Sequence, residues 1–351
     1  MTTDRPLIYD WDLAQFQALM ADWGQPSYRA DQIWDDLYQQ LWASAEDFST
    51  LPKDLRARLD EHFSFVSLRL SKRLYSSDGQ TEKRLHLLHD DQAIETVLMR
   101  YDERRTLCIS TQAGCAMGCT FCATGQMGFR RNLSSGEIVE QVLVFARLLA
   151  TEGQAVTNVV LMGMGEPFHN YEASMAALDR LGHAEGFNLG ARRFTVSTVG
   201  LIPAIQRFTA EQRKEGLAVS LHAAEDDLRA SMLPVNARYP IADLIQACRE
   251  YTRQSGRRIT FEWALIQGTN DTPEQAHKLV ALLAGMNCHV NLIPLNPTQG
   301  FAGDKSSRER VADFRAILLE NGISCTVRVR RGIDIQAGCG QLAEHSAPLQ
   351  P

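Results

Sequence analysis

The clearest periodicity lies near the start of the chain. In Tyr28-Arg-Ala-Asp-Gln-Ile-Trp-Asp-Asp-Leu-Tyr38, the apolar residues Ile33, Trp34, Leu37 and Tyr38 recur at the intervals that make one face of a helix. A second helix is expected to begin near Pro52, a residue suited to a first turn, and to carry Leu55 and Leu59. Residues 1 to about 65 therefore read as helical. From Ser67 to Met99 the pattern changes to alternation, which suggests strands, with Ser77-Asp-Gly79 as a turn between two of them. Beyond Thr106, strand candidates at 106–111, 157–162, 193–198, 216–221, 259–265, 289–294 and 323–329 are mostly separated by helical stretches. The first of these helices spans 135–151 and opens on Ser134-x-x-Glu137, a spacing that lets each side chain cap the other's backbone.

Strand then helix, repeated, means parallel strands joined by helical crossovers. Six or seven units suggest an incomplete barrel, with a doubly wound sheet as the alternative. The expected fold is α/β: a partial (β/α)6-type barrel over 104–351, a linking β unit over 66–103 and a small helical accessory domain over 1–65. Short-period repeats and low-complexity tracts are absent from the sequence.

Composition changes this picture little. Hydrophobic residues make up 44% and charged residues 22% of the 351 positions, enough for a sizeable core. Met1 to Leu13 carries three Asp and one Arg, unlike a signal peptide. The best apolar run, Val142 to Ala150, is short and contains Arg147, so no membrane partner and a cytoplasmic location are expected. Net charge is −6, yet residues 1–63 hold five Lys or Arg against twelve Asp or Glu, which leaves the rest near neutral. Arg104 to Gly136 has four Arg and no acid, and Ser324 to Ile333 has three Arg and no acid. Such local patches, at Arg104-Arg105, Arg130-Arg131 and Arg328-Val-Arg-Arg331, are where phosphates would be met.

Eight cysteines stand at 108, 115, 119, 122, 248, 288, 325 and 339. Cys248, Cys288 and Cys325 sit among apolar neighbours and read as small buried hydrophobes. Cys115-Ala-Met-Gly-Cys119-Thr-Phe-Cys122 is different. Its C-x3-C-x2-C spacing can hold three irons of a cubane cluster, which leaves one iron open to another ligand. A zinc site completed by Cys108, seven residues upstream, stays open on spacing alone, although the loop is Gly-rich and has no second C-x2-C pair.

With Phe121 just before its last cysteine, this motif resembles the radical S-adenosylmethionine superfamily. The resemblance implies a [4Fe–4S] cluster on Cys115, Cys119 and Cys122. Its open iron would bind the amino and carboxylate groups of S-adenosylmethionine, and an electron would cleave that cofactor to methionine and a 5′-deoxyadenosyl radical. Further candidates for cofactor binding are Gly165 and Glu166 in Leu161-Met-Gly-Met-Gly-Glu-Pro167, where Gly lets backbone approach a ligand and Glu can accept from an ammonium. Ser197, Ser220-Leu221-His222 and Asn296 complete the set. Each could be a cap or turn, but together they fall at the carboxyl ends of successive strands, the rim where barrel active sites form.

Over nearly its full length the chain resembles the RlmN/Cfr family of adenosine methyltransferases. Matching stretches are Pro26 to Trp34, Ser77 to Lys83, Ala93 to Leu98, Cys108 to Leu133, the Gly-Met-Gly-Glu-Pro stretch and the block around Cys339. The resemblance implies two S-adenosylmethionine molecules per turnover. One methylates the residue matching Cys339. The other supplies the radical that removes a hydrogen from that S-methyl group, and the resulting carbon radical adds to adenine. The residue matching Cys108 then forms a disulfide and releases the product, and Glu95 matches the proton acceptor. From its position alone, Glu95 could equally be a surface carboxylate at a strand end. Implied partners are 23S rRNA, tRNA and a flavodoxin-like electron donor, and the protein is expected to act as a monomer. The N-terminal stretch and the Asp78-Gly-Gln-Thr-Glu-Lys83 turn look more like the branch that methylates adenosine C2 than the antibiotic-resistance branch that methylates C8. A zinc-stabilised RNA-binding protein without catalysis is the reading from another class; it leaves the small residues around Cys339 unexplained.

Overall fold

Amphipathic periodicity decides the helical N-terminal part. The computed structural model describes residues 5–298 and 300–342. Helices α1 (Leu13–Asp22), α2 (Tyr28–Tyr38) and α3 (Lys53–His62) turn Phe16, Ile33, Trp34, Leu37, Leu55 and Leu59 inward. Helix α1 starts at Asp12, whose carboxylate accepts from Gln15 N while the Gln15 side chain accepts from the Asp12 amide.

A ten-stranded sheet follows. Strands β1 (Arg69–Tyr75), β2 (Thr81–Leu87), β3 (Ala93–Arg100) and β4 (Arg105–Cys108) form an antiparallel meander. After β4 comes a short hairpin, β5 (Gln112–Gly114) and β6 (Phe129–Asn132), with helix α4 (Ala123–Met127) between its strands. Helix α5 (Ser135–Thr151) then begins at Ser134 with both capping bonds to Glu137 formed. The repeating part continues through β7 (Asn158–Leu161), α6 (Tyr171–Gly182), β8 (Phe194–Thr198), α7 (Ile202–Ala210) and β9 (Gly216–Ser220). It ends with α8 (Asp226–Met232), α9 (Ile241–Ser255), β10 (Ile259–Leu265), α10 (Pro273–Leu283), β11 (Cys288–Pro294), α11 (Arg308–Glu320) and β12 (Cys325–Val327).

Within the ten-stranded sheet, every pairing from β4 onward is parallel, in the order β4-β7-β8-β9-β10-β11-β12. The order never reverses, so the sheet has no switch point and the doubly wound alternative falls away. Among the described residues β12 does not pair back to β4, so the barrel is open on that side.

The β1–β3 meander belongs to this same sheet, because β3 pairs with β4. The helical part also packs directly on the barrel, and one apolar core runs through both. Asp10 accepts from Gly136 N (2.7 Å) and Ser135 Oγ (3.0 Å) at the start of α5, while Arg147 of α5 donates to the Tyr9 hydroxyl at 2.8 Å and to Leu41 O at 2.7 Å.

After β12 the chain crosses the opening. Ser77 N donates to Asp334 Oδ2 at 2.7 Å, and Lys83 Nζ donates to the Gln336 carbonyl at 3.0 Å. Beyond Cys339, Ala123 N donates to Gly340 O at 2.8 Å and Thr124 Oγ1 to Leu342 O at 2.5 Å. The Cys339 loop is thus pinned by the meander on one side and by α4 on the other. Among the described residues no helix is long and apolar enough to cross a membrane.

Candidate active site

The carboxyl ends of the parallel strands surround an open cavity. Its wall is mostly apolar, from Leu161, Val199, Leu233, Ile293 and Leu295, with a few polar groups set among them, as in cofactor sites generally. Cys115, Cys119, Cys122, Gly165, Glu166, Ser197, Ser220, His222, Asn296 and Cys339 all line it. Residues from the ends of β7, β8, β9 and β11 and from two separate loops therefore meet in one place.

The three cysteines of the motif occupy one side. Burial pushes the Cys115 thiol up to about 12, holds Cys119 well above its usual value and raises Cys122. Each must lose its proton to bind metal, so cationic metal is the partner that suits three buried sulfurs. Among the described residues no three His, Cys, Asp or Glu side chains converge as a single ion requires. Cys108 does not line this cavity, so the zinc site it would have completed is set aside. A cubane asks for less convergence, since each thiolate holds a different iron. Phe121 packs edge-on to the His222 ring at 5.0 Å and closes the loop against the barrel.

The opposite side is backbone and carboxylate. A Cβ at Gly163 would lie 2.6 Å from Ile109 O, and Gly165 has φ +100° with Gln112 Cβ 2.5 Å from where its own would stand. Only glycine permits that path. Glu166 is buried, its Oε2 accepting from Val199 N at 2.8 Å and its Oε1 from Phe168 N at 3.1 Å. Burial raises its carboxyl to about 7 despite those donors. His222 Nδ1 accepts from Ala264 N at 2.9 Å, and burial lowers the ring to about 3. A neutral ring that accepts at Nδ1 carries its proton on Nε2. The donor set fits both implied groups: thiolates for iron, and a carboxylate, hydroxyls and amide for the polar parts of S-adenosylmethionine above an apolar wall.

Three supporting residues escaped the sequence reading. Gln112 accepts from Glu166 N at 2.8 Å. Arg229, fully buried, donates to Leu221 O at 3.1 Å, Val199 O at 2.6 Å and Ser220 O at 3.2 Å, tying two strand ends together. Asn270 donates to His222 O at 2.7 Å and Ala264 O at 2.6 Å. A lone Arg, Gln or Asn gives no signal in the sequence of what it will bridge.

Cys108 is the last residue of β4 and lines a second, adjoining cavity with Tyr101, Met162, Arg328, Arg330, Arg331 and Cys339. Asn296, Arg328 and Cys339 border both cavities. Burial, then the neighbouring Cys339, push the Cys108 thiol up to about 12. All eight cysteines are free, and no disulfide joins any of them.

Leu221, between Ser220 and His222, keeps its side chain in the apolar core, and its amide donates to Glu262 O. Two readings need correction. Glu95 is no surface carboxylate. It is 3% exposed in the middle of β3, ion-paired with Lys83 at 2.8 Å, in a neighbouring cleft closed by Asp334, Ile335 and Gln336. The arginine patches are also less open than their sequence suggests. Arg131 is held by Asp90 and Glu137, Arg105 by Gln154 and Tyr101 O, and Arg328 faces inward, whereas Arg104 and Arg130 stay exposed. Cys248, Cys288 and Cys325 are buried, as expected.

An open parallel barrel with three cysteines of one loop at its rim is the architecture of the radical SAM superfamily, and residues 109–280 match that superfamily's profile. Residues 8–65 match the profile of the ribosomal RNA large subunit methyltransferase N-terminal domain. A protein of Myxococcus xanthus named dual-specificity RNA methyltransferase RlmN 1 is 50% identical over 335 residues, covering 95% of this chain and 93% of its own. One from Chloroflexus aurantiacus, named probable dual-specificity RNA methyltransferase RlmN, is 49% identical and covers 97% and 94%. The crystal structure of a radical SAM methyltransferase from Sphaerobacter thermophilus superposes with a TM-score of 0.94 at 50% identity, over 96% of this chain and 99% of that one. The chain belongs to the RlmN family of radical SAM methyltransferases, which carry a [4Fe–4S] cluster and use S-adenosylmethionine.

Proposed function

We propose that this protein methylates C2 of a specific adenosine in 23S rRNA and of the adenosine next to the anticodon in tRNA. The observation that supports this best is that Cys108 and Cys339 line one cavity beside the three-cysteine loop. An adenine ring carbon is too weak a nucleophile for polar methyl transfer, so two sulfurs beside a one-electron site suit that target. The C8 branch is the alternative. It is disfavoured by full-length relatives that bear the dual-specificity name.

In this reading Cys115, Cys119 and Cys122 hold the cluster, and Gly165, Glu166, Ser197, Ser220, His222 and Asn296 hold the cofactor. When bound, these groups supply a methyl group and the one-electron chemistry that removes a hydrogen atom. Cys339 carries the methyl group and joins it to the base. Cys108 frees the product by bonding to the Cys339 sulfur. Glu95, backed by Lys83, takes up the proton from the ring carbon. Residues 1–65 act as an accessory domain, 66–103 as the β unit that steadies the Cys339 loop, and 104–351 as the catalytic barrel. A flavodoxin-like donor supplies electrons to a monomeric, cytoplasmic enzyme.

The test is Cys108→Ala. It should still methylate Cys339 and attack RNA, and should accumulate a Cys339–RNA adduct, seen as a slow band on a denaturing gel that ribonuclease collapses. A folded Cys108→Ala enzyme that turns over normally, or loads its methyl group but traps nothing, refutes the reading. Position-resolved mass spectrometry of the modified adenosine separates C2 from C8.

A further inference from the structure

Arg328 follows directly on β12, and its amide donates to Leu292 O at 2.8 Å, which extends the pairing with β11. Its side chain turns away from solvent, with 26% still exposed, into the wall between the two cavities. There Nη1 lies 3.7 Å from the Met162 sulfur and 4.0 Å from Glu262 Oε2. Among the described residues it is the one Arg or Lys that lines both cavities.

Its ion pair with Glu262 is a long one and does not fix it by a hydrogen bond. Glu262 Oε2 is buried without a hydrogen-bond partner, and at 4.0 Å Arg328 is too far away to provide one. Glu262 Oε1 accepts from Asn291 instead, at 2.9 Å. The strongest influence on Arg328 is the Cys339 sulfur, which raises its pKa more than Glu262 does; Cys108 also raises it. Of the other groups around Cys108, Arg330 donates to Asn296 Oδ1 at 3.1 Å, and Arg331 donates to Arg100 O at 3.3 Å and stacks on Tyr101 at 4.5 Å. Arg328 is the cation that opposes burial at the Cys108 thiol.

Cys108 needs such help under the two-cysteine reading, on which this inference rests. To release product, the Cys108 thiolate gives an electron pair to the Cys339 sulfur. The S–S bond forms as the bond from sulfur to the methylene carbon breaks. That bond's electron pair passes to the carbon, which is stabilised by the adenine ring and takes a proton from water to become methyl. The two sulfurs are oxidised and the carbon is reduced. A thiol cannot do this, because the thiolate is the nucleophile.

We propose that Arg328 is a positioning residue for product release: its guanidinium, set in the wall shared by the two cavities, favours the thiolate form of Cys108 against the burial that opposes it, so that Cys108 can attack Cys339. In an interior of low effective dielectric, a cation that lines the same cavity as the thiol is enough to matter.

The measurement is the rate of iodoacetamide labelling of Cys108 in anaerobic holoenzyme, read by peptide mass spectrometry, for wild type, Arg328→Gln and Arg328→Lys. Arg328→Gln should label about tenfold more slowly at pH 7.5 and regain the rate when the pH is raised by about one unit, as a rise of one unit in thiol pKa requires. Arg328→Lys, which keeps the charge, should stay closer to wild type. With RNA present, Arg328→Gln should keep its iron and its Cys339 methylation but accumulate the Cys339–RNA adduct, which decays faster as pH rises. Cys108→Ala should hold its adduct at every pH. Unchanged or faster labelling of Cys108 in Arg328→Gln, or a failure of Cys339 methylation in that variant, overturns the proposal. If Cys108→Ala traps no RNA, the two-cysteine reading fails instead, and labelling still decides the role of Arg328. Should Arg328→Gln lose its cluster, Arg328→Met, which also removes the charge, carries the same labelling test.

Discussion

Two sets of cysteines reach one rim by opposite routes. Cys115, Cys119 and Cys122 come from a single loop of eight residues, closed locally by Phe121 on His222. Cys108 and Cys339 come from the end of β4 and from a loop beyond β12, and they meet only because the C-terminal segment crosses the barrel's opening. A local set is fixed by its own spacing. A distant pair is fixed by everything between its members, here a whole barrel plus the β1–β3 meander that anchors Asp334 and Gln336. Damage to the loop should therefore be all or none. Damage to the supports should be graded and should reach Cys339 first.

The sharpest break comes from the loop itself. Cys115→Ala, Cys119→Ala or Cys122→Ala should each remove the cluster and all methylation, because three thiolates are the fewest that leave one iron open. Iron and sulfide analysis with a product assay checks this, and a variant with full iron and turnover sinks the assignment. Next is Gly163→Ala, whose Cβ would press on Ile109 O at 2.6 Å. We expect about 2 kcal/mol of lost stability in denaturant titration, with weakened S-adenosylmethionine binding by calorimetry; wild-type values for both would show that the backbone there has slack. Ser134→Ala removes one half of the α5 capping box and should cost about 1 kcal/mol with iron content unchanged. The smallest change is Asp334→Ala, which deletes an exposed bond to Ser77 N. It should cost about 0.5 kcal/mol, yet lower the fraction of Cys339 found methylated in purified enzyme while iron stays full. Equal loss of iron and methyl group would erase the distinction between the two sets.

The same contrast explains what could be read in advance. Helices at 28–38 and 135–151 and the strand positions were legible because periodicity and capping are local signals, and α2 and α5 match them residue for residue. The three-cysteine loop was legible for the same reason. Helix α1 was not singled out, although Phe16, Leu19 and Met20 are buried, since its Ala and Gln positions blur the face. That the meander joins the barrel's sheet depends on the β3–β4 pairing, which no short pattern announces. Arg328 looked like part of a basic surface stretch. Its inward turn is set by β12 pairing with β11, a tertiary fact. For Glu95, the resemblance implied a proton acceptor while its position alone allowed a surface carboxylate at a strand end; only the fold shows it buried against Lys83 from the neighbouring strand.

The bond from Ala123 N to Gly340 O joins the two loops next to a cysteine of each. Ala123 directly follows Cys122, and Gly340 directly follows Cys339. A shift of one loop is therefore handed to the other through a single backbone bond, so the two sets of cysteines, distant in the chain, cannot be moved independently at the rim.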